Sequence, residues 1–344
     1  MPEPQAVLAP LTESAVFLTL VVEPGGEAMV HDLLPDVGGM VRSVGFRTPE
    51  EGLTCVLGIG SDAWDRLFAG PRPAHLHPFR EVTGERHHAP ATPGDLFLHI
   101  RARDTYPCFE LARRIAAAFG PATRVVDEVQ GFRYFDRRDL LGFVDGTENP
   151  TGPGAAAAVL VGDDDPDFAG GSYLMVQKYL HDLDAWNAMT VEDRELAIGR
   201  RMLDDVELDD ATKPADSHVA LTTIEDPDGT EREILRDNMP FGSIAGGEYG
   251  TFFAGYAKDP AVTELMLTRM VVGDPPGSSD RILEVSRAVT GGLFFAPTVD
   301  LLDDPPPLPQ AADPAAAAPA EPSKPSEPPA RRADLGIGGL RVQR

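Results

Sequence analysis

Cysteine is scarce: Cys55 and Cys108 are the only two in 344 residues. This excludes a disulfide framework and leaves too few thiolates for a structural zinc site. Both sit in apolar runs, so buried thiols are expected. No run approaches the roughly 20 apolar residues that a membrane-spanning helix needs, and the opening Met-Pro-Glu-Pro-Gln lacks the basic start and apolar stretch of a secretory leader. A cytoplasmic setting with no membrane partner is expected. Basic residues are also few, 30 Lys and Arg against 55 Asp and Glu, for a net charge of −25. Such a balance repels a phosphate backbone and excludes nucleic acid as a partner. With 42% hydrophobic and 25% charged residues, the chain otherwise has the composition of a globular protein that buries a sizeable core.

Proline, by contrast, is abundant and uneven. Of the 25 residues from Pro305 to Pro329, 10 are proline, and most of the rest are Ala, Ser, Glu and Asp. Proline fixes φ and removes backbone donors, so a semi-extended, solvated linker is expected at 303–333. Beyond it, Asp334-Leu335-Gly336-Ile337-Gly338-Gly339-Leu340-Arg341 brings back apolar residues and glycine, the composition of a docking peptide at 334–344. The folded part is expected to span 15–302, behind an N-terminal extension at 1–14.

Within that body, strand and helix patterns alternate. Ala15 to Val22, Leu53 to Gly60 and Asp95 to Arg103 read as strands, and Glu27 to Val44 and Cys108 to Phe119 as helices. Ser61-Asp62 is placed to cap a short helix carrying Trp64 and Phe68. The second half repeats the plan. Strands are expected at Ser172 to Leu180 and Gly250 to Ala257, and helices at Asp184 to Leu203 and Pro260 to Val272. The clearest internal echo pairs Val56 to Asp62 with Phe253 to Asp259. Two related α+β halves, about 15–150 and 151–302, each with an antiparallel sheet and helices on one face, suit this order.

Two clusters carry the chemistry. Gly142-Phe143-Val144-Asp145-Gly146-Thr147-Glu148-Asn149-Pro150 sets an acid between glycines that let the backbone turn tightly beside a flat ligand. Taken alone it reads as an ordinary turn. Ser217-His218 opens the alternating run Val219 to Ile224, and eighteen residues after His218 comes Arg236-Asp237-Asn238-Met239-Pro240-Phe241-Gly242. On an extended segment, Arg236 and Asn238 project from one face and address one pocket.

As a set, in this order, the clusters resemble the motifs of the dye-decolourising peroxidases. Gly142 to Gly146 is similar to that family's distal motif, and Ser217-His218-Val219 and Arg236 to Gly242 to its proximal histidine and distal arginine segments. The likeness covers about Val16 to Thr298 and is closest to the short bacterial B-type branch. It implies an α+β fold of two ferredoxin-like halves, antiparallel sheets with peripheral helices, akin to a dimeric α+β barrel. It also implies one haem b per chain and a homo-oligomer, dimer to hexamer.

Carried over by position, the resemblance makes His218 the axial iron ligand, with Asp280 accepting its second N–H. Asp280 is also placed to cap a helix before Arg281, one oxygen for each purpose. Asp145 and Arg236 face the peroxide beside Asn238, and Gly146, Thr147, Glu148 and Arg236 line the haem. Arg200 pairs with a propionate or ends a helix. The implied reaction reduces hydrogen peroxide, forms a ferryl porphyrin radical, and oxidises dyes, phenols and other small-molecule reductants one electron at a time. An aspartate relay predicts an optimum on the acid side, because an unperturbed Asp titrates near about 3.9. Tyr134, Tyr173, Tyr179, Tyr249, Tyr256 and the two tryptophans are possible electron relays. The acidic groups Asp163 to Asp165 and Asp204 to Asp210 read as solvated loops or a cation site.

The terminal peptide is similar to those that load such peroxidases into encapsulin shells. Leu335, Ile337 and Leu340 would seat in an apolar groove on the shell, placing the protein inside an encapsulin nanocompartment in the cytoplasm. Loss of the chain after Asp304 should then abolish loading alone. A haem-storage or deferrochelatase-like haem-handling role is the alternative.

Overall fold

The structure is a computed structural model that describes residues 2–310. Its strands are β1 (Ser14–Val22), β2 (Thr54–Gly60), β3 (Val82–Thr83), β4 (His88–Ala89), β5 (Leu96–Ala102), β6 (Thr123–Phe132), β7 (Ser172–His181), β8 (Leu235–Arg236), β9 (Met239–Ser243), β10 (Glu248–Ala257), β11 (Ser286–Ala288) and β12 (Gly292–Ala296). Its helices are α1 (Glu27–Leu33), α2 (Asp36–Gly45), α3 (Ser61–Leu67), α4 (Thr105–Phe119), α5 (Gly152–Val159), α6 (Leu183–Ala188), α7 (Val191–Ile198), α8 (His218–Thr222), α9 (Pro260–Val272) and α10 (Val299–Asp303).

Ten strands form one sheet in the order β6-β1-β5-β2-β12-β7-β10-β8, with β11 on β7 and β9 on β10. Within each half the spatial order of its own strands is fourth, first, third, second, the order of a ferredoxin-like unit. The β2–β12 pairing joins the halves. Every pairing in the sheet is antiparallel. The sheet curls until β1 and β10 meet across its interior, where the rings of Phe17 and Phe252 stack with centroids 4.2 Å apart. On the far side β6 lies so close to β9 that a Cβ on Gly131 would sit 2.6 Å from the Met239 Cβ.

Alternation along β1 shows how the sequence builds this. Ala15 and Phe17 point into the barrel with Phe97, Phe252 and Tyr256. Val16, Leu18 and Leu20 point outward, under Val30 of α1, Val37 of α2 and Leu111 of α4. The same outward face of the second half, carrying Met175, Gln177, Tyr179 and Thr251, is not filled in this way. A cavity lies over it.

Several elements depart from the sequence reading for local reasons. The helix expected over Glu27 to Val44 is two, divided at Leu34-Pro35, because proline has no N–H and crowds the preceding turn. The helical stretch from Asp184 is also two, and it stops at Gly199 with φ 95°. Ser61 and Asp62 begin α3 without making a side-chain cap. Cys108 is buried and Cys55 half-buried, each thiol pushed by burial up to about 12. The echo between the halves needs a shift of register: β10 is a third strand and β2 a second, so the counterpart of Phe253 to Asp259 is Leu98 to Asp104, which also leads into a helix. Small residues shared by Val56 to Asp62 suggested the other pairing.

Both ends of the described chain hold to the body. Gln5 Nε2 donates to the carbonyls of Leu57 and Pro297, both at 2.8 Å. Past Leu302, Ala69 N donates to Pro307 O at 2.7 Å, and His31 Nε2 lies 2.8 Å from Pro306 O. The body therefore continues a few residues into the proline-rich stretch. The terminal peptide at 334–344 and the linker beyond Gln310 lie outside the described residues.

Candidate active site

The cavity on β7 and β10 is flanked by α8, α9 and the loop 139–148. Its walls mix Met175, Tyr179, Phe253, Leu267 and Met270 with a few polar groups, the makeup of a site for a large, flat, mainly apolar ligand.

His218 enters from α8. The run that alternates in sequence folds as a short helix, because Ser217 caps it with Oγ accepting from Ala220 N. His218 Nδ1 lies 2.7 Å from Oδ2 of Asp280, which is fully buried. With Asp280 accepting that N–H, the other ring nitrogen, Nε2, keeps its lone pair for the cavity. Asp280 Oδ1 accepts from Ile282 N at 3.0 Å and caps the 3₁₀ turn Arg281–Glu284, so its two oxygens divide between histidine and backbone.

Asp145 is held at a tight turn in which Gly142 (φ 94°) and Gly146 (φ 80°) occupy the left-handed region that favours glycine. Asn238 Nδ2 donates to Asp145 Oδ1 at 3.2 Å, and Asn238 Oδ1 accepts from Ala254 N at 3.2 Å. The amide thus fixes the carboxylate to β10. Arg236, Asn238 and Asp145 line one cavity, while Asp237 between them turns into the barrel interior and is fully buried. The Arg236 guanidinium makes no side-chain hydrogen bond among the described residues, and its Nε is buried without a partner. Burial pulls its pKa down, with Asp145 acting the other way and Arg200 adding to the fall. An unpaired cation near a carboxylate, at a partly apolar cavity wall, is a poised donor for an anionic or developing negative oxygen.

Gly146, Thr147, Glu148 and Arg200 also line the cavity. Arg200 pairs with Glu148 and, at 3.4 Å, with Glu207. Arg200 directly follows Gly199 at the end of α7, as the helix-end reading expected, with its guanidinium engaged by these carboxylates. Thr147 Oγ1 donates to Asp205 Oδ2 at 2.6 Å. The acidic segment 204–210 is likewise paired, through Arg201, Lys213 and Arg200, and no cluster of three or more metal-ligating residues occurs among the described residues.

Three further residues escaped the sequence reading. Asn149 clamps the backbone of Arg236 from both sides, Oδ1 accepting from its N at 2.9 Å and Nδ2 donating to its O at 2.7 Å. The partners are 87 residues apart, and the only sequence signal was an Asn-Pro turn. His181, in the cavity wall, lies between Ser286 Oγ and Thr251 Oγ1, and burial lowers it to about 4. Asp139 opens the loop with Oδ1 accepting from Phe143 N, and burial foremost, with Asp145 nearby, raises it to about 7.

The raised carboxyl of Asp139 sets a sign for stability. Between its ordinary value of 3.8 and about 7, the folded protein keeps a proton that the unfolded chain releases. This contribution therefore falls as pH rises through that window. Asp139→Asn should flatten the decline in melting temperature across the window; an unchanged slope would show that Asp139 is ionised throughout.

Two family models cover the body: Dyp-type peroxidase, N-terminal, over residues 4–133, and Dyp-type peroxidase, C-terminal, over 136–301. A curated relative named dye-decolorizing peroxidase, from Mycobacterium tuberculosis, is 61% identical over 315 residues, 92% of this chain and 94% of the relative. Among solved structures, the encapsulated DyP-type peroxidase from Mycobacterium smegmatis matches with a TM-score of 0.89 and 62% identity, over 90% of this chain and 100% of that one. A variant of DypB from Rhodococcus jostii in complex with haem matches with a TM-score of 0.86 and 56% identity, over 88% and 98%.

Proposed function

The chain belongs to the dye-decolourising peroxidases, and from that premise we propose that it binds haem b through His218 and reduces hydrogen peroxide at the face lined by Asp145, Arg236 and Asn238. The observation that carries this is the His218–Asp280 hydrogen bond: it fixes one ring nitrogen and leaves the other for iron, at the wall of an apolar cavity. The Met, Phe, Tyr and Leu walls fit a large, planar, mainly apolar ring. When bound, haem would supply the iron that takes up the oxidising equivalents of peroxide and then draws electrons from reductants.

The chain supplies proton control and charge. Asp145 Oδ2, the oxygen Asn238 leaves open, takes the proton from one peroxide oxygen and returns it to the oxygen that departs. Arg236, aimed by the Asn149 clamp, stabilises the negative charge that grows as the oxygens separate. Asp280 holds the His218 tautomer and makes the imidazole a stronger donor to iron. Dye oxidation by the haem-loaded protein should depend on peroxide and peak on the acid side of neutrality. A peak above neutrality would remove Asp145 as proton carrier.

The relative from Mycobacterium smegmatis is described as encapsulated, which supports the same destination here, with 334–344 as the loading peptide. Tethering would keep the enzyme at high effective concentration inside the shell. Because Pro306 and Pro307 bond to the body, the test truncation belongs after Gln310. It should leave peroxidase activity intact and abolish co-purification with a co-expressed shell protein; full loading would refute the role of the peptide.

A further inference from the structure

Behind the active site lies a buried polar group that the peroxide chemistry does not use. His99, Arg101, Asp237 and Tyr256 share the barrel interior with Phe17 and Phe97, and none of the four is exposed. Burying such groups among phenylalanines is costly unless they are well paired. The pairing here is incomplete. Arg101 pairs with Asp237 and donates to Ala6 O, yet His99 Nε2 and Asp237 Oδ1 have no hydrogen-bond partner among the described residues.

Tyr256 is the member with redox capacity. Its hydroxyl lies 2.8 Å from His99 Nδ1, and with the ring N–H on Nε2, the nitrogen that faces Asp237, the hydroxyl is the donor. His99 is neutral, because burial and then the charge of Arg101 hold its pKa well below the usual imidazole value. Its Nε2 lies 3.8 Å from Asp237 Oδ2. A proton arriving at Nδ1 would make an imidazolium facing a carboxylate. Other described tyrosines lack such a base: Tyr179, on the cavity wall, donates to the amide oxygen of Gln177, and Tyr173 accepts from His75 N. A phenol gives up an electron readily only if its proton has somewhere to go, and an amide cannot take it.

Position favours the same residue. Thr251 and Phe253 of β10 line the cavity, while Ala254 and Tyr256 face the interior. Tyr256 pairs in register with Leu235, next to Arg236. One layer of backbone separates it from the site where peroxide is reduced.

We propose that Tyr256, with His99 as its proton acceptor and Asp237 as counter-charge, is an internal redox site that holds one oxidising equivalent drawn from the peroxide-oxidised haem. The step balances. One electron leaves the phenol for the oxidised cofactor, the phenolic proton moves from the Tyr256 hydroxyl to His99 Nδ1, and a neutral tyrosyl radical faces an imidazolium paired with Asp237. A reductant's electron, with the proton returning from Nδ1, restores the phenol. The proposal rests on the haem peroxidase reading above.

The test is electron paramagnetic resonance of the haem-loaded full chain, frozen after mixing with one equivalent of hydrogen peroxide, with the optical spectrum recorded alongside. The expected result is a tyrosyl radical whose signal narrows in protein grown on ring-deuterated tyrosine and is lost in Tyr256→Phe. Should Tyr256→Phe fail to hold haem, His99→Gln carries the test, since it keeps an acceptor but no base; the signal should again be lost. An undiminished radical in Tyr256→Phe or His99→Gln would overturn the assignment, as would a wild type whose optical spectrum responds to peroxide without any tyrosyl signal. No optical response in the wild type would instead overturn the haem peroxidase reading, and this proposal with it.

Discussion

Arg236→Leu is expected to slow the reaction of the haem-loaded protein with hydrogen peroxide by a factor on the order of 10²–10³, the usual cost of removing one preorganised charge stabiliser. The expectation follows from how the guanidinium is kept. It is half-buried at the cavity wall with its Nε fully buried, makes no side-chain hydrogen bond among the described residues, and has its backbone fixed by both ends of the Asn149 amide. Paired cations such as Arg200 are already committed to carboxylates. Stopped-flow mixing measures the rate directly. Haem binding should persist in the variant, because His218 and Asp280 are untouched. A rate close to wild type would shift the work to Asp145, whose own replacement by Asn should then carry the loss.

Asp237→Ala should have the largest effect on stability. Asp237 and Arg101 form an ion pair with no exposure at all, joining the segment between β8 and β9 to β5 across the barrel interior. Removing one partner leaves a buried guanidinium uncompensated, which costs about 3–5 kcal/mol. The unfolding midpoint in denaturant should fall accordingly, with little change in slope. Because Arg236 and Asn238 flank Asp237, peroxide reactivity should fall as well. Wild-type stability in the variant would mean that Arg101 finds water or another acceptor.

Much of the fold is legible in local pattern. Alternation marks β1, β5 and β7, and Pro260 to Val272 is a helix with the bounds that its capping Asp259 and terminal Gly273 suggest. The motif residues His218, Arg236, Asn238 and Asp145 lie around one cavity, although the run after His218 is helix rather than extended chain. What local pattern does not carry is contact between distant segments. Asn149 looks like a turn residue until it meets Arg236, and Asp237 looks like a solvated acid until it meets Arg101 from another strand. Asp139 is one of many aspartates in an acidic chain, and only burial beside Asp145 raises its pKa. Pro35 divides α1 from α2 inside a stretch whose helical spacing runs on through both sides of it. The echo between the halves misaligns because small residues recur in both β2 and β10, and only the sheet order makes β5 the counterpart of β10.

Haem binding turns on one nitrogen of one histidine, His218 Nε2. An absorption spectrum of the purified, haem-supplemented protein tests it most directly. The predicted result is a Soret band of five-coordinate ferric haem in the wild type that is lost in His218→Ala while the variant stays folded. A wild type that remains colourless after supplementation, or a variant with an unaltered Soret band, would contradict it.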